Sequence, residues 1–352
     1  MRSVDSTDLG TGPDGSTGPI SRHQGAQPAA AALAAPPERA EIEEVQRVAS
    51  DVMASMATII EGKSEALLTA VTVLLAEGHL LIEDVPGVGK TMLAKALARS
   101  VDCRFSRLQF TPDLLPSDVT GVSVYDQRTN DFDFRPGPVF TNLLLVDEVN
   151  RASPKTQAAL LECMQERQVT VDGVTHPLAA PFMVIATQNP IEYEGTYPLP
   201  EAQLDRFMML LHLGYPDAAE EARMLAEQAS AEPLSALDPV CTVEEVRAAA
   251  QVARELYVEE SLNRYAVALL QHTRSDPRLA LGASPRSGIA LLRVAKTRAL
   301  LEGRDFVIPD DIKDVAVPVL SHRVLLGPEA RAAGITGEEI VQEAVDRTPV
   351  PL

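Results

Sequence analysis

The sequence predicts an α/β fold: a parallel-sheet core with helices on both faces, followed by an all-α domain. Three observations carry this. First, Leu80-Leu81-Ile82 runs through Glu83-Asp84-Val85-Pro86-Gly87-Val88-Gly89-Lys90-Thr91 into the alanine- and leucine-rich stretch Met92–Arg99, the strand, glycine loop and helix order of a P-loop. Second, Asn142–Val146 and Phe182–Ala186 are nearly unbroken apolar runs, as strands covered on both faces of a parallel sheet read. Third, beyond Gly214-Tyr215-Pro216 no such run recurs and helical spacing takes over.

The composition sets limits. A chain of 352 residues suits two ordinary domains, and 45% hydrophobic residues allow real cores, aliphatic ones since tryptophan is absent. The net charge of −19 with no dense Lys/Arg block argues against nucleic acid as a partner. Cys103, Cys163 and Cys241 are odd in number and form no C-x-x-C pair, which argues against a disulfide framework or zinc site and suits a reducing, cytoplasmic compartment. No apolar run reaches membrane-span length, so no membrane insertion is expected, and the N-terminus lacks a secretory pattern.

In order, residues 1–37 are rich in Gly, Ser, Thr, Pro, Gln and Ala and read as a disordered tail. Ile42, Val45, Val48, Ala49, Val52 and Met56 recur at helical spacing, predicting a helix to about Ile60, and a second spans Ser64–Ala76. The alternation in Cys103–Phe110 predicts a strand, whereas Val119–Phe140 reads as an irregular insertion. Pro154–Gln168 is predicted helical, with Ala158, Leu161, Cys163 and Met164 toward the core. Asp172-Gly173 marks a hairpin. Helices are expected over Asp217–Ser230, Val243–Tyr257, Ser261–Arg274 and Pro285–Leu301, with a shorter one from Asp310 and a loop over Glu232–Pro239. The domains are therefore a core over residues 38–214 and a helical domain over 215–345.

Chemistry gathers at strand ends. Backbone N–H groups of Asp84 to Met92 are placed to cradle phosphate at a helix N-terminus. Lys90 reaches the β- and γ-phosphates and the Thr91 hydroxyl holds Mg²⁺. The strict pattern wants glycine where this chain has Asp84. Asp147 and Glu148 close the second apolar run: the first carboxylate suits Mg²⁺ and the second a general base. Asn189 ends another strand, where open α/β sheets bind ligands, placed to contact the γ-phosphate or orient the water; the tripeptide Gln188-Asn189-Pro190 by itself reads first as a turn. Arg206 precedes an apolar run and reads alone as a surface ion-pair partner. Arg286 lies in the first turn of a predicted helix, where the dipole disfavours a cation, so it faces either an anion or solvent.

Assembled, the series resembles the AAA+ ATPases, and its wording resembles the MoxR family. The matching phrases are Glu83–Thr91, Gln109–Asp118, Asp147–Ala152 and Leu199–Phe207. The resemblance runs from about Glu41 to about Arg323, and the Asp84 departure is itself like that family. It implies the P-loop NTPase (AAA+) fold with a C-terminal helical lid, ATP and Mg²⁺ as cofactors, and ATP hydrolysis. It also implies roles: Lys90 and Thr91 as Walker A, Asp147 and Glu148 as Walker B, and Asn189 as sensor 1. Arg206 matches an arginine finger offered to a neighbouring subunit, and Arg286 a sensor 2 closing the lid over the nucleotide. Arg151 falls in a shared phrase and is assigned to a subunit interface. A homo-oligomeric ring, a hexamer by resemblance, is expected. So is chaperone-like remodelling, maturation or activation of a client protein with a von Willebrand factor A domain partner. The alternatives are a chelatase-like metal-insertion motor and a nucleic-acid motor, the latter opposed by the charge.

Overall fold

The structure, a computed structural model, describes residues 36–189, 196–215, 218, 234 and 237–351. The first 35 residues of the expected tail, Pro190, nearly all of the expected helix Asp217–Ser230 and part of the loop after it lie outside these.

A five-stranded sheet forms the centre: β1 (Leu80–Glu83), β2 (Phe105–Gln109), β5 (Leu143–Asp147), β8 (Met183–Gln188) and β9 (Met209–Leu211). Its order is β2-β5-β8-β1-β9, all neighbours parallel. Period-two alternation divides each apolar run between two cores. Leu80, Ile82, Leu143, Leu145 and Ile185 face one; Leu81, Leu144, Val146, Val184 and Ala186 face the other. Helices α1 (Arg39–Ala57), α2 (Ser64–Leu75) and α3 (Lys90–Ser100) cover the first face, and α5 (Pro154–Glu166) the second. The first core continues into the C-terminal helices α7 (Val243–Glu255), α8 (Glu260–Ser275), α9 (Pro285–Leu301) and α10 (Pro309–Leu320). A short α4 (Pro116–Thr120) precedes the first hairpin, and α6 (Glu201–Leu204) precedes β9.

Several details depart from the sequence reading. Val119–Phe140 is not irregular: β3 (Gly121–Asp126) and β4 (Asp131–Pro136) form a regular antiparallel hairpin, paired from Gly121↔Pro136 to Asp126↔Asp131. Its strands are largely solvent-facing, held by their ladder and by Tyr125 against Phe132 at 5.4 Å, so no core pattern announces them. Its neck is closed by backbone contact: a Cβ on Gly121 would meet the Arg135 carbonyl at 2.3 Å. α5 stops at Glu166, with Arg167 left-handed at φ 51°, and Ala158 is exposed while Gln157 is buried on the Val149 and Tyr197 carbonyls. The expected hairpin around Asp172-Gly173 is β6 (Gln168–Val171) and β7 (Val174–Pro177). The C-terminal part adds a short antiparallel pair, β10 (Leu279–Leu281) with β11 (Leu325–Leu326), and two further helices, α11 (Pro328–Ala332) and α12 (Gly337–Arg347).

His79 sits beneath the sheet, its Nδ1 accepting from the Val184 N–H (3.0 Å) and its Nε2 donating to the Met164 carbonyl (3.1 Å). Burial pushes its pKa down to about 4, and burial beside Arg323 pushes that of His322 down to about 3. Both are neutral in the fold, whereas in the unfolded chain each takes a proton near pH 6.5. Stability is therefore full above that pH and falls as pH drops toward the folded values, by about 2 kcal/mol per histidine at pH 5. Thermal unfolding midpoints measured from pH 7.5 to 5 should fall, and His79→Gln should flatten the slope. A midpoint independent of pH across this window contradicts the assignment.

Candidate functional site

The carboxyl ends of β1, β5 and β8 meet at one edge of the sheet, where such sheets bind ligands. After β1 the chain turns at Asp84, whose side chain explains why an acid replaces the usual glycine. Its Oδ1 accepts from the Val85 N–H (2.9 Å) and its Oδ2 from the Gly214 N–H (2.7 Å), tying the loop to the end of the segment after β9. Gly87 and Gly89 then take φ +91° and +96° with nothing within 4 Å of an added Cβ. Conformation rather than space calls for glycine there. Gly89 caps α3 with no side-chain hydrogen bond, so the first-turn amides, which lack intrahelical partners, face the cavity with the helix dipole behind them.

That cavity measures about 240 Å³ and gathers Gly87, Lys90, Thr91, Asp147, Glu148 and Asn189. Pro86, Gly89 and Met92 also line it, but the Val88 side chain packs into the first core instead. Lys90 Nζ donates to the Asp84 carbonyl at 2.6 Å. Asp147 is largely buried; its Oδ2 accepts from Arg107 Nε (2.7 Å) and its Oδ1 from the Thr187 hydroxyl (3.3 Å). Glu148 is left-handed at φ 56°, which turns the chain into a single 3₁₀ turn. Its N–H donates to Thr187 Oγ1 (3.0 Å) and its carboxylate pairs with Arg151 Nη1 at 2.9 Å. Arg151, expected at a subunit interface, thus also restrains the carboxylate expected to act as base. Arg107 and Thr187 were given no role in the sequence reading. The available signal was Arg107 inside an alternating strand whose neighbour ends in Asp147.

The donors fit Mg²⁺. Thr91 and Asp147 line the cavity and would offer Mg²⁺ the hard oxygen donors it takes alongside phosphate and water.

Arg206 and Arg286 are elsewhere. They line a second cavity of about 430 Å³, between the sheet's far end and α9, together with Glu77, Arg167, Asp205 and Arg293. No phosphate-loop residue lines it. The first turn of α9, expected to close over the chain's own nucleotide, is bonded to Asp205, which holds Arg286 beside Arg206 and outside the phosphate-loop cavity. Arg206 Nη1 donates to the Leu161 carbonyl, while its buried Nε has no partner among the described residues. Arg286 is exposed.

Glu77, left-handed at φ 54°, pairs with Arg167 (3.1 Å), Arg254 and Arg293 (3.7 Å). Burial works to raise its pKa, but the hydrogen bonds and charges of Arg254 and Arg167 outweigh it and hold the carboxylate below its usual range. Burial lowers the pKa of Arg293. With Arg323, five arginines line this cavity against two acids, an excess that favours an anion.

Residues 79–209 match the ATPase family associated with various cellular activities (AAA), and residues 271–344 the AAA lid domain. The chain is 51% identical to the uncharacterized protein YeaC of Bacillus subtilis over 84% of its length and 92% of that protein. It is 40% identical to chaperone MoxR1 of Mycobacterium tuberculosis over 83% of its length and 80% of that protein. A solved structure assigned as an ATPase, from Cytophaga hutchinsonii, superposes with a TM-score of 0.82 at 39% identity, covering 89% of this chain and 97% of that one.

Proposed function

We propose, from the premise that the chain belongs to the MoxR family of AAA+ ATPases, that it works as a ring whose neighbouring subunits share each active site. The chain is a nucleotide-binding ATPase; the ring, a hexamer, is the proposal. The observation that carries it is the separation of the two cavities. Arg206 and Arg286 lie together in a basic cavity without a phosphate loop, and the phosphate loop lies in a cavity without them. A heterologous interface that closes on itself brings the two halves together.

Each residue then has a task. Loop amides and Lys90 hold the phosphates; Thr91 and Asp147 would hold Mg²⁺, which would supply positive charge against the phosphate oxygens. Glu148 takes the proton of the attacking water and Asn189 orients that water or the γ-phosphate. The neighbour's Arg206 and Arg286 stabilise the charge that spreads over the transferred group. The core (38–214) and lid (215–345) move as two bodies during turnover.

That motion remodels, matures or activates a client protein, with a von Willebrand factor A domain protein as partner. What supports this is family membership and the relative named as a chaperone. Among the described residues no helix is long and apolar enough to cross a membrane, and a cytoplasmic location is proposed from the free cysteines. The test is ATPase stimulation by a purified von Willebrand factor A domain protein from the same organism and, separately, by DNA. Stimulation of several-fold by the protein alone is expected. Stimulation by DNA alone overturns the reading.

A further inference from the structure

Asp205 immediately precedes Arg206, at the end of α6, and its carboxylate is largely buried. Among the described residues, its side-chain donors come from the C-terminal helical part. Ser284 Oγ donates to Oδ2 (3.0 Å), Ser287 Oγ to Oδ1 (3.4 Å) and Arg323 Nη1 to Oδ1 (3.1 Å). Both serines are otherwise satisfied: Ser284 Oγ accepts from the Ser287 N–H (3.2 Å) and Ser287 Oγ from the Ser284 N–H (3.1 Å), closing the capping box of α9. The two hydroxyls also lie 3.2 Å from each other, and both face Asp205. Arg286 lies between these two serines, so both sides of its turn are fastened to the residue beside Arg206.

Arg323 completes the clamp. Its side chain is 2% exposed, and its Nη2 donates to the Phe207 carbonyl (2.7 Å), two residues past Asp205. His322 Nε2 lies 2.9 Å from the same carbonyl. The segment Asp205–Phe207 is thus gripped on both sides of Arg206, and Phe207 is itself fully buried. Arg323 Nη2 also lies 3.4 Å from the Met208 carbonyl and its Nε 3.3 Å from His322 Nε2, and a buried guanidinium held by a carboxylate and by backbone carbonyls fixes geometry as well as charge.

We infer that Asp205 is a positioning residue that locks Arg206 and Arg286 into one unit, so that a subunit presents both guanidinium groups to its neighbour at a fixed spacing. Asp205 touches no nucleotide; it acts through the arginines on either side. Because the clamp joins core to lid, any rotation of the lid carries both arginines or breaks the clamp. The inference rests on the shared-site reading above, and the experiment separates the two.

Asp205→Asn in the full chain should lose turnover on the order of 10²-fold, the scale of a small misplacement of reacting groups, while binding a fluorescent ATP analogue as the parent does. A structural defect alone gives a loss that stays lost on mixing. A defect in donating arginines is repaired when a Glu148→Gln subunit is added, since that subunit keeps its own clamp and lends Arg206 and Arg286 to the intact base of the Asp205→Asn subunit. Equimolar mixing should raise activity at least tenfold over Asp205→Asn alone, and Arg206→Ala should be repaired in the same way. Should Asp205→Asn fail to fold, Ser284→Ala/Ser287→Ala removes both hydroxyl donors, keeps the Arg323–Asp205 pair and is expected to lose roughly tenfold with the same repair. Parental turnover in the folded clamp variant, or repair of Arg206→Ala without repair of the clamp variant, overturns the positioning role alone. No repair of Arg206→Ala overturns the shared site.

Discussion

Glu148→Gln should bind ATP as the parent does and hydrolyse it at least 10²-fold more slowly, the lower range of what a general base contributes. The substitution keeps the side-chain shape and its reach into the cavity but cannot accept a proton. The backbone holding it does not depend on the charge: the left-handed turn at φ 56° and the N–H bond to Thr187 remain. Binding should survive because the loop amides, Lys90 and Thr91 are untouched. The ion pair with Arg151 at 2.9 Å is lost, but both partners are substantially exposed, so little stability goes with it. Steady-state phosphate release and fluorescent-nucleotide titration measure the two halves. Turnover within twofold of the parent means that another group is the base.

Arg206→Ala should fold, bind ATP and lose on the order of 10³-fold or more in turnover, the range of an arginine supplied in trans. Its side-chain hydrogen bond to the Leu161 carbonyl contributes about 1 kcal/mol, so the fold survives. The cavity it lines contains no phosphate-loop residue; the loss therefore falls on the neighbour's site and not on the variant's own. Mixing with Glu148→Gln subunits should restore turnover, since each variant lacks what the other retains. If Arg206→Ala turns over at the parental rate, this guanidinium has no part in hydrolysis.

Local signals were legible in the sequence. The glycine loop and the two acids after an apolar run are read over about ten residues each, because the phosphate cradle and the strand end are built from consecutive residues. The division of each strand's side chains between two cores follows from period two. The hairpin over 121–136 was not legible, since its pairing is stabilised by its own ladder and a tip of exposed aromatics. The reason for Asp84 was also hidden: one of its partners is the amide of Gly214, 130 residues away, and no local pattern reports such a bond.

Sequence alone marked the residues expected to carry the chemistry and the resemblance to P-loop ATPases, because catalytic groups must sit on loops and strand ends of restricted composition. Only the tertiary structure decided which groups stand together. Asp205, gripping the first turn of α9 through Ser284, Ser287 and Arg323, puts Arg286 beside Arg206 and away from its own phosphate loop. That outcome depends on three hydrogen bonds between segments some 80 to 118 residues apart, and contacts of that range are made by the docking of core and lid, not by either segment's own sequence.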